Sequence, residues 1–137
     1  MQNNIVEQYG KLEAEAAEKA VAEVRNIKTM EVGKVVRQGD IYIHRVEDSH
    51  EHGALMADHQ LAVGNTQGSR HIADENATVY AGTKSPSWAE RAFLGPLIKS
   101  ITGFKIAHPE HAHVQLPAGT YQITHQMDAR TLERVRD

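Results

Sequence analysis

Apolar residues recur at spacings of three and four along the start of the chain: Ile5, Tyr9, Leu12, Ala16, Ala20, Val24 and Ile27. That period predicts an amphipathic helix from Asn3 to about Lys28. Asn3 or Asn4 can cap it, and Glu7 with Lys11 and Glu15 with Lys19 are favourable i,i+4 pairs. Gly10 is the flaw, costing roughly 1 kcal/mol against alanine. At ~1.5 Å per residue the helix would run roughly 39 Å. Its middle is alanine-rich, so the apolar stripe is thin. Such a stripe suits another helix, including a copy of itself, or a position across its own domain; both stay open.

From Val32 the period changes to two. Val32 to Val36 reads as a strand, Gln38-Gly39-Asp40 as a turn, and Ile41 to Val46 as a strong strand with Ile41 and Ile43 on one face. Glu47 to Ala54 reads as a loop. Gln60 to Val63 and Arg70 to Ala73 flank a hairpin-like connection, and Thr78 to Tyr80 is a further strand. Ser87-Trp88-Ala89-Glu90 matches a capping box, and Gly95-Pro96 reads as a helix stop, so a short helix from Trp88 to Leu94 is expected between strands. Leu97 to Ile106 is a hairpin, or a helix end followed by a strand. His113 to Leu116 and Thr120 to Gln126 flank Pro117-Ala118-Gly119 as the clearest hairpin. Asp128 to Asp137 is a last helical turn or an exposed tail.

The fold class that follows is α+β, mainly β: a long N-terminal helix, then a small β-sandwich or barrel-like body with a short inserted helix. Residues 1–30 form the helical arm and 31–137 the β domain, with an insertion around 84–103. A chain of 137 residues fits one domain.

Composition narrows the chemistry. There is no cysteine, so disulfides and thiolate metal sites are excluded. The net charge of −3 argues against a general nucleic-acid surface, and aromatic residues at 5% argue against a base-stacking platform. No run of apolar residues approaches the ~18 needed for a membrane helix, and the polar, acidic N-terminus does not resemble a signal peptide. A cytoplasmic or virion location is the expectation. The nine histidines would carry the formal charge from −3 to +6 if all were protonated.

The most informative segment is His108-Pro109-Glu110-His111-Ala112-His113. At a strand start, His111 and His113 would share a face, and His108 could return to them through the turn at Pro109. With His71 from a neighbouring strand and His125, these imidazoles suit a divalent transition metal such as Zn, Fe or Ni. Glu110 could be a ligand, an acid or base, or solvated. His50, Glu51, His52 and His59 form a looser set, read as a solvated loop. No phosphate-binding glycine loop, nucleophile elbow or cysteine nucleophile is present.

Two resemblances follow from these residues. The His-x-His at 111–113 followed by Pro117-Ala118-Gly119 resembles a cupin hairpin, although Gln115 stands near the place of the family's glutamate and His125 is off the usual spacing. That likeness implies a metal-dependent enzyme with His108, His111 and His113 as ligands, joined by His71 or His125, and Glu110 as acid or base. Arg37-Gln38-Gly39-Asp40, Gly68 to Ile72 and the HPEHAHVQLPAGTY segment at 108–121 resemble small uncharacterised bacterial and phage proteins. Those proteins often carry a second histidine where Ser69 stands here. This second likeness covers the β body and implies a fold more than an activity.

Without a catalytic constellation, the leading expectation is a non-catalytic assembly or binding module. It would be homo-oligomeric, such as a virion or capsid-associated subunit, making contacts through residues 1–28 and through Trp88 and Phe93. The rival is a histidine-ligated metal protein, either a cupin-like enzyme or a metal or pH sensor without turnover.

Overall fold

A computed structural model of the chain describes residues 5–6, 8–9, 24–62, 70–89, 93–109 and 111–125. Among the described residues ten strands run in chain order: β1 (Val24–Asn26), β2 (Val35–Gln38), β3 (Ile41–Val46), β4 (His52–Met56), β5 (Ile72–Ala73), β6 (Thr78–Gly82), β7 (Phe93–Ser100), β8 (Phe104–Ala107), β9 (His113–Leu116) and β10 (Gly119–His125). They form two sheets. Six strands follow the order β2-β3-β10-β7-β6-β4, and four follow β1-β9-β8-β5. Every pairing is antiparallel except β1 with β9.

The period-two pattern explains the core. Ile41 and Ile43 of β3 and Tyr121 and Ile123 of β10 come from one sheet. Phe104 and Ile106 of β8 and Val114 and Leu116 of β9 come from the other, and all eight join one buried cluster. The rings of Phe104 and Tyr121 meet edge to face across the layers at 5.5 Å. The result is a β-rich, sandwich-like fold.

The long N-terminal helix is corrected by this structure. Residues 5–6 and 8–9 are helical, but Val24–Asn26 is a strand beside His113–Gln115, and the Ile27 amide donates to the Gln115 carbonyl at 2.9 Å. Val24 and Ile27 are β-branched, and pairing with β9 satisfies their backbone, so tertiary contact overrides the helical period. The stretch 10–23 lies outside the described residues. Tyr9 is buried against Ile72 and Ala107, with the Lys105 ammonium 5.8 Å above its ring.

The expected helix from Trp88 to Leu94 is corrected too. Ser87–Ala89 makes a single 3₁₀ turn, and Phe93–Ser100 is a strand between β10 and β6. Gly95-Pro96 is a bulge in a central strand, not a helix stop. Gln122 pairs with Leu97 and Thr124 with Leu94, so Gly95 and Pro96 together face Ile123. Proline has no N–H for the ladder. The Gln122 side-chain amide supplies donors instead, reaching the carbonyls of Gly95 at 2.8 Å and Pro96 at 3.1 Å.

The stretch read as a loop after Glu47 holds β4 from His52 onward. The strands expected around Pro117-Ala118-Gly119 exist, but they are not a hairpin. β9 belongs to the four-stranded sheet and β10 to the six-stranded one, so the turn carries the chain between layers. Among the described residues no helix is long and apolar enough to cross a membrane. The tail from Asp128 lies outside the described residues.

Candidate functional site

The β2–β3 turn brings Gln38 and Asp40 to the inner end of the sandwich, with Gly39 at φ 56° closing the turn. His71 precedes β5, and His108 follows β8, so both arrive from the four-stranded sheet. The ring centroids of His71 and His108 are 4.4 Å apart, and those of His108 and His111 are 4.5 Å apart. Three of the five imidazoles expected to converge are therefore in ring contact. His113 opens β9 beside Val24, and His125 closes β10 between Ile41 and Phe93. Glu110 lies outside the described residues.

Hydrogen bonds fix the protons. Gln38 Nε2 donates to the carbonyls of Ile106 and Ala112, each at 3.0 Å, so Gln38 Oε1 must act as an acceptor. His71 Nδ1–H donates to it at 2.8 Å. His71 Nε2 then faces Asp40 Oδ1 at 2.7 Å, and that contact holds one proton. His108 Nδ1 accepts the His111 amide at 3.0 Å, which leaves the ring proton on its Nε2. At His71 and at His108 Nδ1 a transition metal would need a ring lone pair that these contacts already use. Among the described residues, no group of three or more His, Asp or Glu side chains is arranged to hold a metal ion. Asp40, His71 and His108 are each 0% exposed.

The looser histidine set has structural work. His50 Nε2 donates to the Lys84 carbonyl at 2.7 Å, His52 packs on Tyr80 at 4.1 Å, and His59 Nδ1 donates to the carbonyls of Ala73 and Asp74.

Sequence reasoning passed over a second buried network. Trp88 Nε1 donates to His44 Nδ1 at 3.0 Å, so His44 Nε2 carries the proton and donates to Thr124 Oγ1 at 2.8 Å. This tautomer is neutral, and burial pushes the His44 pKa down to about 4 from its ordinary 6.5. The unfolded chain therefore binds a proton in the range where the folded one does not. Stability is complete above pH 6.5 and falls as pH drops from 6.5 towards 4, by roughly 3 kcal/mol in total. Urea titrations from pH 7.5 to 4.5 should show this slope, and His44→Gln should flatten it. An unchanged slope in the variant would place the acid sensitivity elsewhere.

Residues 37–126 match the domain of unknown function DUF8820. The chain belongs to this family. The DUF8820 span begins at the strand that delivers Gln38 and takes in Asp40, His71, His108 and His111, so the whole hydrogen-bonded cluster is internal to it. Residues 5–9 and β1 precede it. No curated protein and no solved structure matches the chain.

Proposed function

We propose that this DUF8820 protein is a non-catalytic binding and assembly module that works as a homo-oligomeric structural subunit. One observation supports the reading: the groups with the chemistry to react are sealed, and several large side chains left outside are apolar. Asp40, His71 and His108 are closed off and hydrogen-bonded to one another's neighbours. A general acid or base needs reach to a substrate proton, and Asp40, His71 and His108 have no exposed surface through which to make it.

Outside, Leu55 is 68% exposed with Met56 beside it, on the strand that ends the six-stranded sheet. A cavity of about 680 Å³ adjoins them, walled also by Val6, Ala77 and Val79. β4 contains no lysine, arginine, acid or proline, the residues that usually keep an edge strand from association. β2, at the opposite edge, carries Arg37. The occupant proposed for the β4 edge is a second copy. An antiparallel approach of two copies along it continues the sheet across the pair and gives the outward backbone groups of each edge strand the other's as partners. Light scattering on the full chain should give a mass above the monomer that rises with concentration, and Leu55→Asp should return it to the monomer. A monomeric wild type at every concentration tested would overturn the proposal.

A further inference from the structure

At the end of the sandwich away from the β2–β3 turn, one side chain breaks the apolar alternation of β3. Arg45 follows Ile41 and Ile43 on the inward face and pairs across strands with Tyr121. Its guanidinium lies 5.8 Å from the Tyr121 ring centroid, and the side chain is only 17% exposed. A guanidinium presents five N–H donors and keeps its charge at any ordinary pH. Arg45 Nε is buried and has no hydrogen-bond partner. The nearest carboxylate oxygen, Asp48 Oδ1, is 3.7 Å from Nη2, beyond hydrogen-bonding distance, and already accepts the Thr120 hydroxyl at 2.9 Å. A buried donor left without an acceptor is costly and calls for an explanation.

The surroundings supply one. Arg45 borders a cleft of about 380 Å³ whose polar walls include Asp48, Lys99, Ser100 and Thr120, with Ile101, Ala118 and Gly119 completing it. Lys99 Nζ reaches the Asp48 carbonyl at 3.2 Å, which holds a second cation at the cleft. Two cations face one carboxylate there, and that carboxylate side chain is 79% exposed and screened by water. The Leu-Pro-Ala-Gly-Thr-Tyr segment at 116–121 builds this place. Tyr121 Oη donates to the Pro117 carbonyl at 2.8 Å, and a side chain at Gly119 would overlap the Arg45 guanidinium. Gly119 is thus the seat on which the cation rests.

We propose that this cleft is a binding site for a compact oxyanion, a carboxylate or phosphate group, with Arg45 and Lys99 as its cationic walls. Arg45 offers paired N–H donors to two oxygens, Lys99 a point charge, and the Tyr121 ring a floor beneath the planar guanidinium. The site is independent of the self-association proposed above, because none of its residues lies on β4.

The test is titration of the full chain with inorganic phosphate, and separately with acetate, against sodium chloride at matched ionic strength. Binding is read from the Arg45 Nε–H resonance and from calorimetry. Saturable binding of one or both anions above the chloride control is expected, and the comparison of the two arms identifies which group the site prefers. Lys99→Gln should weaken it about tenfold. Gly119→Ala, which keeps both charges but displaces the guanidinium, should weaken it further, with Arg45→Gln as the variant that removes the donors outright. Absence of saturation above chloride, or equal affinity in Lys99→Gln and wild type, would overturn the proposal.

Discussion

Asp40→Ala should destabilise the protein by about 3–5 kcal/mol, whereas Asp40→Asn should cost only about 1. The difference follows from proton counting. Gln38 spends both amide hydrogens on the carbonyls of Ile106 and Ala112, so it can only accept from His71 Nδ1–H. The 2.7 Å contact between His71 Nε2 and Asp40 Oδ1 is then satisfied by a single proton, whichever atom carries it. Alanine removes this carboxylate partner from a ring that has no exposed surface to relieve the loss. Asparagine keeps the shape and donates its own N–H to a neutral imidazole. The loss on alanine substitution is a large share of a typical domain's ~5–15 kcal/mol. It also unties the two sheets, since Gln38 and Asp40 come from one and His71, Ile106 and Ala112 flank or belong to the other. Urea denaturation of the two variants beside wild type measures both numbers. Equal losses for alanine and asparagine would show that no shared proton holds this junction.

The same junction shows what could be read from the chain and what could not. The sequence groups His71, His108, His111, His113 and His125 by residue type and spacing, and ring contacts join the first three of them. Gln38 and Asp40 were legible only as a turn, because a polar residue beside glycine has a sufficient local reason to be there. Their contacts with His71 span 33 and 31 residues, and no periodicity encodes those. β3 was read correctly from Ile41 to Val46 because alternating apolar residues of that length have one dominant solution. β7 was misread because Gly95-Pro96 ends a helix in most settings, and here Gln122 supplies the donors that let it interrupt a strand. The first segment failed for a related reason. Val24 and Ile27 fit a helical stripe equally well, and only the free edge of β9 decides that they join a sheet.

The bulge at Gly95-Pro96 also predicts the harshest substitution among the glycines of the described residues. A methyl group placed on Gly82 would overlap the Gly95 carbonyl oxygen, with the Gln122 Nε2 only 3.0 Å away. The obstacle is main chain, so no rotamer change removes it. Nor can the carbonyl retreat easily, because Gln122 Nε2 holds it at 2.8 Å and the flanking Pro96 belongs to the bulge against β10. Relief would require β6 and β7 to separate, which breaks the pairing of Thr78, Val79 and Tyr80 with Lys99, Ile98 and Leu97. Gly82→Ala should therefore cost about 3 kcal/mol or more, at the upper end of overpacking effects. Gly33→Ala is the control. Gly33 has φ +95° and nothing within 4 Å of an added methyl, so it should lose only about 1 kcal/mol, from backbone strain alone. Gln122→Ala combined with Gly82→Ala should bring no net rescue, because freeing the carbonyl from that amide also strips the buried Gly95 and Pro96 carbonyls of their donor. Thermal melts of the three variants give the order directly. If Gly82→Ala melted no lower than Gly33→Ala, β6 and β7 could not be as closely apposed at Gly82 and Gly95 as this fold requires.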